Sequence, residues 1–571
     1  MPLSHNVVEH SPSLISPKDP SKTGYLPTSY KKAQKCKDSD KWIEAIKKED
    51  EGFFDKHAIE YVPLKSLSKK QRKEMLRQFR LFKIKASGRY KVRNVIDGSQ
   101  QDGLYWYDTF AAVARSDSIR LIIRISAYYG LTLYGIDFSH AYLSAMLPKD
   151  TIIHAWPCEG FGRDIGKPCP TGHVLRLKSY VYGLKTSAKG FGEKVTAALT
   201  KIGFTRSMNE PCLYYGRFMN VEMMILTYVD DLIVSTRSEQ AFTGLVNALR
   251  EAGFALTTES KPDCYVGFQL EYLKNGTIEL HCDRYTNAVI KRFEKTKFLS
   301  EIPNNISIDG MLGVRPMPFS AYVSENQLVE AKTDKVNPEI QEEYRSIVGS
   351  LLYMTSIHRI DIAYAVHRLS RFLTSCTELH LLQAYHVVGY LKRTAKLSPR
   401  LVYKAGTTDT NGKFIIPDLI TYADSGYLSD EYCKSATGIV TMLGEAPIMW
   451  RSSLQSVNAL STCEAEFISL AEGAKSTIFP MQLLLEMNVD TRPFTLKEDN
   501  EACIKLVRQN VDFKRSKHIL NRFYYLRHIA ATMAKVQHVR SEEQLADILT
   551  KSTFTKSYFD EMARKLLKYT D

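Results

Sequence analysis

The chain has 571 residues, 44% hydrophobic and 11% aromatic, with 32 tyrosines, ten cysteines and a formal net charge of +14. That length exceeds one hydrophobic core and fits about three or four domains, and the charge draws the chain toward a polyanion, nucleic acid above all. The cysteines include no CxxC pair, which speaks against a zinc site or a disulfide framework, and no apolar run matches a bilayer span or a signal core.

Residues 1–38 carry five prolines and the basic run Lys31, Lys32, Lys35 and Lys37, and read as a disordered arm. Order is expected from Asp38-Ser39-Asp40, which caps a helical pattern in Trp42, Ala45 and Ile46. Next, Leu81-Phe82-Lys83-Ile84-Lys85 turns at Ser87-Gly88 into Arg89-Tyr90-Lys91-Val92-Arg93. This predicts a β-hairpin with Lys83, Lys85, Lys91 and Arg93 on one face, either solvated or a clamp for phosphates.

A helix is predicted from Ser116 to Tyr129, then a strand from Leu131 to Phe138 that carries Asp137 near its end. Asp137 is either a cap for the next turn or a metal ligand, since a lone buried acid is costly. Tyr142, just beyond, is core packing or a wall of the same site. The loop containing Tyr180, Tyr182, Gly183, Lys185 and Lys189 interleaves aromatics with lysines, as stacked bases and a phosphate track require.

Two strand-length apolar runs then meet at Tyr228-Val229-Asp230-Asp231. A hairpin usually turns on Asn-Gly or Asp-Gly; here glycine is missing, so the surrounding fold must hold the turn. The two acids are either a solvated turn or a site for a divalent cation. Asn275-Gly276 predicts a second hairpin with a type I′ turn. Residues 300–340 read as a linker and 342–392 as packed helices. The remainder predicts three antiparallel strands, a helix containing Glu466, and alternating strands and helices, with Asp424 and Asp499 ending strands and Asp547 on a final helix. Pro480 should kink or end the helix descending from Glu466.

The ordered segments Ile136-Asp137-Phe138-Ser139-His140-Ala141-Tyr142-Leu143, Cys158-Glu159-Gly160-Phe161, Tyr182-Gly183-Leu184-Lys185, Tyr228-Val229-Asp230-Asp231 and Tyr344-Arg345-Ser346-Ile347-Val348-Gly349 resemble the polymerase region of copia-type retrotransposons. The resemblance implies a multidomain α/β and α+β chain, a right-hand reverse transcriptase followed by a ribonuclease H-like domain. Its divisions would be an arm at 1–38, fingers and palm at 39–285, linker, thumb and connection at 286–410, and the nuclease at 411–571.

It further implies that Asp137, Asp230 and Asp231 bind two magnesium ions, with manganese as the alternative metal. Tyr142 would exclude a 2′ hydroxyl, and one or more of Lys83, Lys91 and Arg93 would touch the triphosphate. Tyr182, Gly183, Lys185 and Gly267 would lie along nucleic acid or primer. In the nuclease, Tyr422-Ala423-Asp424, Ala465-Glu466, Asp499-Asn500, Lys517-His518-Ile519 and Ala546-Asp547 imply that Asp424, Glu466, Asp499 and Asp547 hold a second metal pair, with Glu464 the weaker alternative to Glu466. Leu520, Tyr524 and Gly426 depart from the family pattern. The implied partners are an RNA template, a DNA primer strand, an RNA–DNA hybrid and deoxynucleoside triphosphates. The implied location is the cytoplasm, in virus-like particles, with entry into the nucleus. The alternative is a catalytically silent or domesticated remnant that binds nucleic acid.

Overall fold

A computed structural model of the chain describes residues 19–85, 88–101, 103–104, 106–294, 318, 325–427, 433–508, 520–552 and 554–569. Most of the expected linker and the Lys517-His518-Ile519 segment lie outside these residues. Packing divides the chain into two units, residues 1–114 with 134–260, and residues 115–133 with 261–571. The first unit ends at residue 260, and the helix Ser116–Tyr128 belongs to the second.

In the first unit, order begins before the expected Asp38. Helix α1, Tyr30–Lys35, is capped by Ser29 and buries Tyr30 and Ala33, and the Tyr30 hydroxyl donates to Asp164 at 2.9 Å. One aromatic anchor outweighs the basic run around it. Helix α2, Ser39–Asp55, buries Trp42, Ile46, Glu49, Asp50 and Phe53, the spacing of a single helix face. Two of those five residues are acids.

The strands of this unit are β1 (Ile59–Pro63), β2 (Leu76–Ile84), β3 (Tyr90–Ile96), β4 (Thr132–Phe138), β5 (Ile153–Trp156), β6 (His173–Leu177), β7 (Thr205–Arg206), β8 (Leu213–Phe218), β9 (Val221–Tyr228), β10 (Asp231–Thr236) and β11 (Leu256–Ser260). They form two sheets, in the orders β1-β6-β5-β2-β3 and β11-β4-β10-β9-β8-β7. In the first, Lys83 pairs with Lys91 and Leu81 with Arg93, so the cations do share a face. The second packs Ile136, Phe138, Ile225, Leu232 and Val234 against Phe191, Val195, Phe242 and Leu245 of the helices Ser187–Ile202 and Glu239–Glu251.

The second unit contains β12 (Cys264–Tyr265), β13 (Phe268–Tyr272), β14 (Ile278–His281), β15 (Leu401–Tyr403), β16 (Leu419–Gly426), β17 (Ala436–Leu443), β18 (Ala446–Leu454), β19 (Phe494–Glu498) and β20 (Ala534–His538). The hairpin β13–β14 forms, but its turn is not type I′: of Asn275 and Gly276 only Gly276 has positive φ (81°). Bonds from Gly276 N to Leu273 O and from Leu273 N to Thr277 O close a three-residue loop, the other geometry in which an Asn-Gly pair serves.

The sheet β18-β17-β16-β19-β20 is antiparallel from β18 to β16 and parallel from β16 to β20. Three antiparallel strands followed by alternating strands and helices is the succession read from the sequence. The helix Thr462–Glu486 crosses it and continues through Pro480, against expectation. Gly473 lets it approach Ala423 of β16 closely, Thr477 bonds Thr421 at 2.7 Å, and Pro480, Met481, Leu483 and Leu484 are buried. Burial on both sides of the proline outweighs one lost backbone bond.

Candidate active sites

Strands β9 and β10 join through Val229 and Asp230 alone, with Tyr228 paired to Asp231. Val229 has φ 57°, a conformation glycine ordinarily supplies in such turns and one that costs a β-branched residue of order 1–3 kcal/mol. Two contacts hold it. Val229 packs against the core beneath the sheet, and Phe138 N donates to Asp230 O at 3.0 Å. The same bond draws the end of β4 to the turn and sets Asp137 beside Asp230.

The Asp230 carboxyl is pushed up by burial and by Asp137, while Arg93 and Lys91 oppose the shift. Asp137 itself is exposed, not buried, because Ile136 and Phe138 take the core side of β4 and alternation turns Asp137 outward. Asp231 starts β10. Among the described residues, these three acids do not bring one oxygen each within 4.8 Å of one another.

Around this turn the structure gathers most of the predicted residues of the first unit. Tyr142 is buried in the turn Tyr142–Ser144, and its hydroxyl is raised by burial and by the charge of Asp230. Its ring meets Tyr182 edge-on at 4.7 Å. Arg93 lies over Tyr182 at 4.2 Å and reaches Glu49 at 3.8 Å. Arg93 thus covers one face of the Tyr182 ring, and the Tyr182 hydroxyl is buried without a hydrogen-bond partner.

Gly183 and Lys185 fasten the loop in place. Ile96 N donates to Tyr182 O at 2.8 Å, and a Cβ on Gly183 (φ 95°) would lie 2.0 Å from Ile96 O. Lys185 Nζ donates to Gln101 O at 2.6 Å. Gly267, in the second unit, turns between β12 and β13 with φ 84° after Val266 at 50°, and a Cβ there would lie 1.9 Å from the Tyr353 hydroxyl.

The second acid set is tighter. Ligand oxygens of Asp424, Glu466 and Asp499 lie within 4.8 Å of one another. Asp424 stands within β16, two residues before its end, and Asp499 directly follows β19. Glu466 is on the first turns of the helix Thr462–Glu486, whereas Glu464 closes that helix start by accepting from Leu460 N at 3.0 Å. Asp547 begins a short 3-10 turn, not the final helix, which is Lys556–Leu566. It accepts from Lys551 Nζ at 2.5 Å and from the Tyr558 hydroxyl at 3.0 Å.

Burial and neighbouring acids raise Asp424 to about 8, against the pull of Lys551 and a short bond from Thr550. Burial, Asp424 and Asp499 raise Glu466 to about 9. Oxygen donors of this kind suit a hard divalent cation, and Glu466 Oε2 is buried with no hydrogen-bond partner. Sequence reasoning gave no role to Thr550, Lys551, Tyr558 or Ser541, the last of which donates to Asp499 at 2.8 Å. It also missed buried Glu498, whose Oε2 is likewise unpartnered. Glu498 and Asp499 are adjacent acids at a strand end, the signal that drew attention to Asp230 and Asp231.

Residues 66–304 match the family model for reverse transcriptase (RNA-dependent DNA polymerase). That stretch is similar to the reverse transcriptase family. Curated relatives include the retrovirus-related Pol polyprotein from transposon RE1 of Arabidopsis thaliana, 28% identical over 84% of this chain. Another is that from transposon TNT 1-94 of Nicotiana tabacum, 26% identical over 82%. The chain spans 30% and 34% of their lengths. The foamy viral protease-reverse transcriptase dRH in complex with double-stranded DNA aligns over 88% of this chain and 70% of its own, at TM-score 0.44 and 11% identity. The reverse transcriptase match spans the β9–β10 turn, Asp137 and Tyr142.

Proposed function

We propose that the chain copies RNA into DNA and cleaves the RNA strand of the resulting hybrid. The observation that carries the polymerase half is the strained β9–β10 turn, which sets Asp230 beside Asp137 within the family-matched region. The oxygen cluster of Asp424, Glu466 and Asp499 supports the nuclease half.

Asp137 and Asp230, with Asp231, would hold magnesium at the first site, and Asp424, Glu466, Asp499 and Asp547 at the second. When bound, such ions activate the attacking hydroxyl or water and neutralise the departing charge. The protein's own residues divide the remaining work. Arg93 and Lys91 supply positive charge beside Asp230, where a triphosphate would need it. Tyr142, pinned by Tyr182 and Phe191, presents a rigid wall against a 2′ hydroxyl. Lys551 steadies Asp424 and Asp547. The RNA template, primer strand, deoxynucleoside triphosphates and hybrid are the substrates of this proposal. A catalytically silent nucleic-acid-binding protein is the alternative, favoured by the spread of the first acid set and the exposure of Asp137.

Primer extension on an RNA template, run beside cleavage of an RNA–DNA hybrid with magnesium, is the test. DNA product and hybrid cleavage are expected; retention of the template–primer with neither product establishes the silent alternative.

A further inference from the structure

The acids of the second site are not equally open to a cation. Asp424, Glu466 and Asp499 bring one oxygen each within 4.8 Å of one another, and among the described residues Asp547 is not one of that set. Glu466 is buried and its Oε2 has no hydrogen-bond partner. A carboxylate oxygen left unsatisfied in the interior is costly, and a hard divalent cation would satisfy it.

Asp547 is already held at both oxygens. Oδ1 accepts from Lys551 Nζ at 2.5 Å, and Oδ2 accepts from the Tyr558 hydroxyl at 3.0 Å. The local sequence arranges the first contact: in Asp547-Ile548-Leu549-Thr550-Lys551 the tight turn Asp547–Leu549 brings the lysine, four residues on, back over the acid. The second comes from the final helix, Lys556–Leu566. The Tyr558 hydroxyl also lies 3.1 Å from Ser541 O, and Ser541 donates to Asp499 at 2.8 Å, which fixes Asp547 relative to the clustered acids.

The same ammonium lies 3.8 Å from Asp424 Oδ2, the oxygen that also accepts from Thr550. Lys551 Nζ therefore stands between Asp424 and Asp547. Magnesium bonds carboxylate oxygens at about 2.1 Å, so an ion bridging these two acids would need the space the ammonium fills. It would also meet a like charge there, on a side chain that acts as a compact point charge.

We infer that the second site takes a single divalent cation, on Asp424, Glu466 and Asp499, and that the Lys551 ammonium, anchored by Asp547, occupies the place of a second one. This rests on the proposed nuclease function and narrows its ligands from four acids to three. Asp547 acts through Lys551, as a positioning residue, and Tyr558 holds it to that task.

The test counts Mn2+ bound to the full chain by electron paramagnetic resonance, with an uncleavable 2′-O-methyl RNA–DNA hybrid bound. The unaltered chain is compared with Asp424→Asn, Asp547→Asn and Lys551→Met, and thermal unfolding is measured on each. Differences between variants cancel any ions held by the first unit. Asp424→Asn is expected to lose one ion and Asp547→Asn none. Lys551→Met is expected to gain one, because the position between Asp424 and Asp547 opens.

Loss of two ions in Asp424→Asn, loss of one in Asp547→Asn, or no gain in Lys551→Met overturns the assignment. If Lys551→Met fails to fold, Lys551→Gln replaces it; that change also removes the charge and is read the same way. Failure of the unaltered chain to cleave an unmodified RNA–DNA hybrid sinks the nuclease proposal itself, which is a distinct result.

Discussion

The two acid sets of this chain are built on opposite plans. In the second unit, the parallel pair β16 and β19 and a helix laid across them force Asp424, Asp499 and Glu466 together before any cation arrives. Burial and mutual repulsion push two of them far above the usual carboxylate range. In the first unit burial and the neighbouring Asp137 raise Asp230, Asp137 faces solvent, and the acids stand further apart. The tension there sits in the backbone instead, at Val229. One site concentrates charge and the other stores its strain in a turn, so the proposed metal binding would be linked electrostatically to the fold in the second unit far more than in the first.

Separating the two activities breaks the comparison most sharply. Asp230→Asn should reduce primer extension by about a thousandfold or more while hybrid cleavage continues, and Asp424→Asn should do the reverse. Loss of both activities from either substitution would show that the two sites do not work independently. Tyr142→Ala should admit ribonucleotides; unchanged sugar selectivity would mean that the ring packed against Tyr182 does not face the sugar.

The difference in charge has its own consequence for pH. Asp424 at about 8 and Glu466 at about 9 lie above their values of about 4 in an unfolded chain. Their folded forms therefore hold extra protons, and the stability they contribute, full below about pH 4, is lost as pH rises through about 8–9. A divalent cation binds the ionised forms, so it should raise the unfolding temperature of the second unit more at pH 9 than at pH 6.5. Equal shifts at both values, or the same dependence in Asp424→Asn, would count against the burial of this cluster.

Much of this was legible in the residues because both plans rest on local patterns. Alternation placed the cations of β2 and β3 on one face, and the missing glycine at Val229-Asp230 signalled a turn enforced from outside. What escaped was decided at long range. Pro480 reads as a helix break, yet packing on β16 carries the helix past it. Glu49 and Asp50 share a stripe with Trp42 and Ile46, and the apolar members alone drew notice. Lys551 and Tyr558 become partners of Asp547 only once the chain after β20 has folded back.

Lys551 offers the finest probe of the difference. Its ammonium is 2.5 Å from Asp547 and 3.8 Å from Asp424, and its own proton is held more firmly through those contacts although burial opposes it. Lys551→Met removes the cation that holds Asp424 down while leaving all four acids in place. Asp424 should then ionise at higher pH, and the midpoint of hybrid cleavage against pH should move up by about one unit, the size of a single close charge interaction. Primer extension by the same variant should keep its pH profile. A midpoint that stays put would assign Lys551 to the substrate's phosphates instead of to the acids, and a shared shift in both activities would place its effect outside the nuclease altogether.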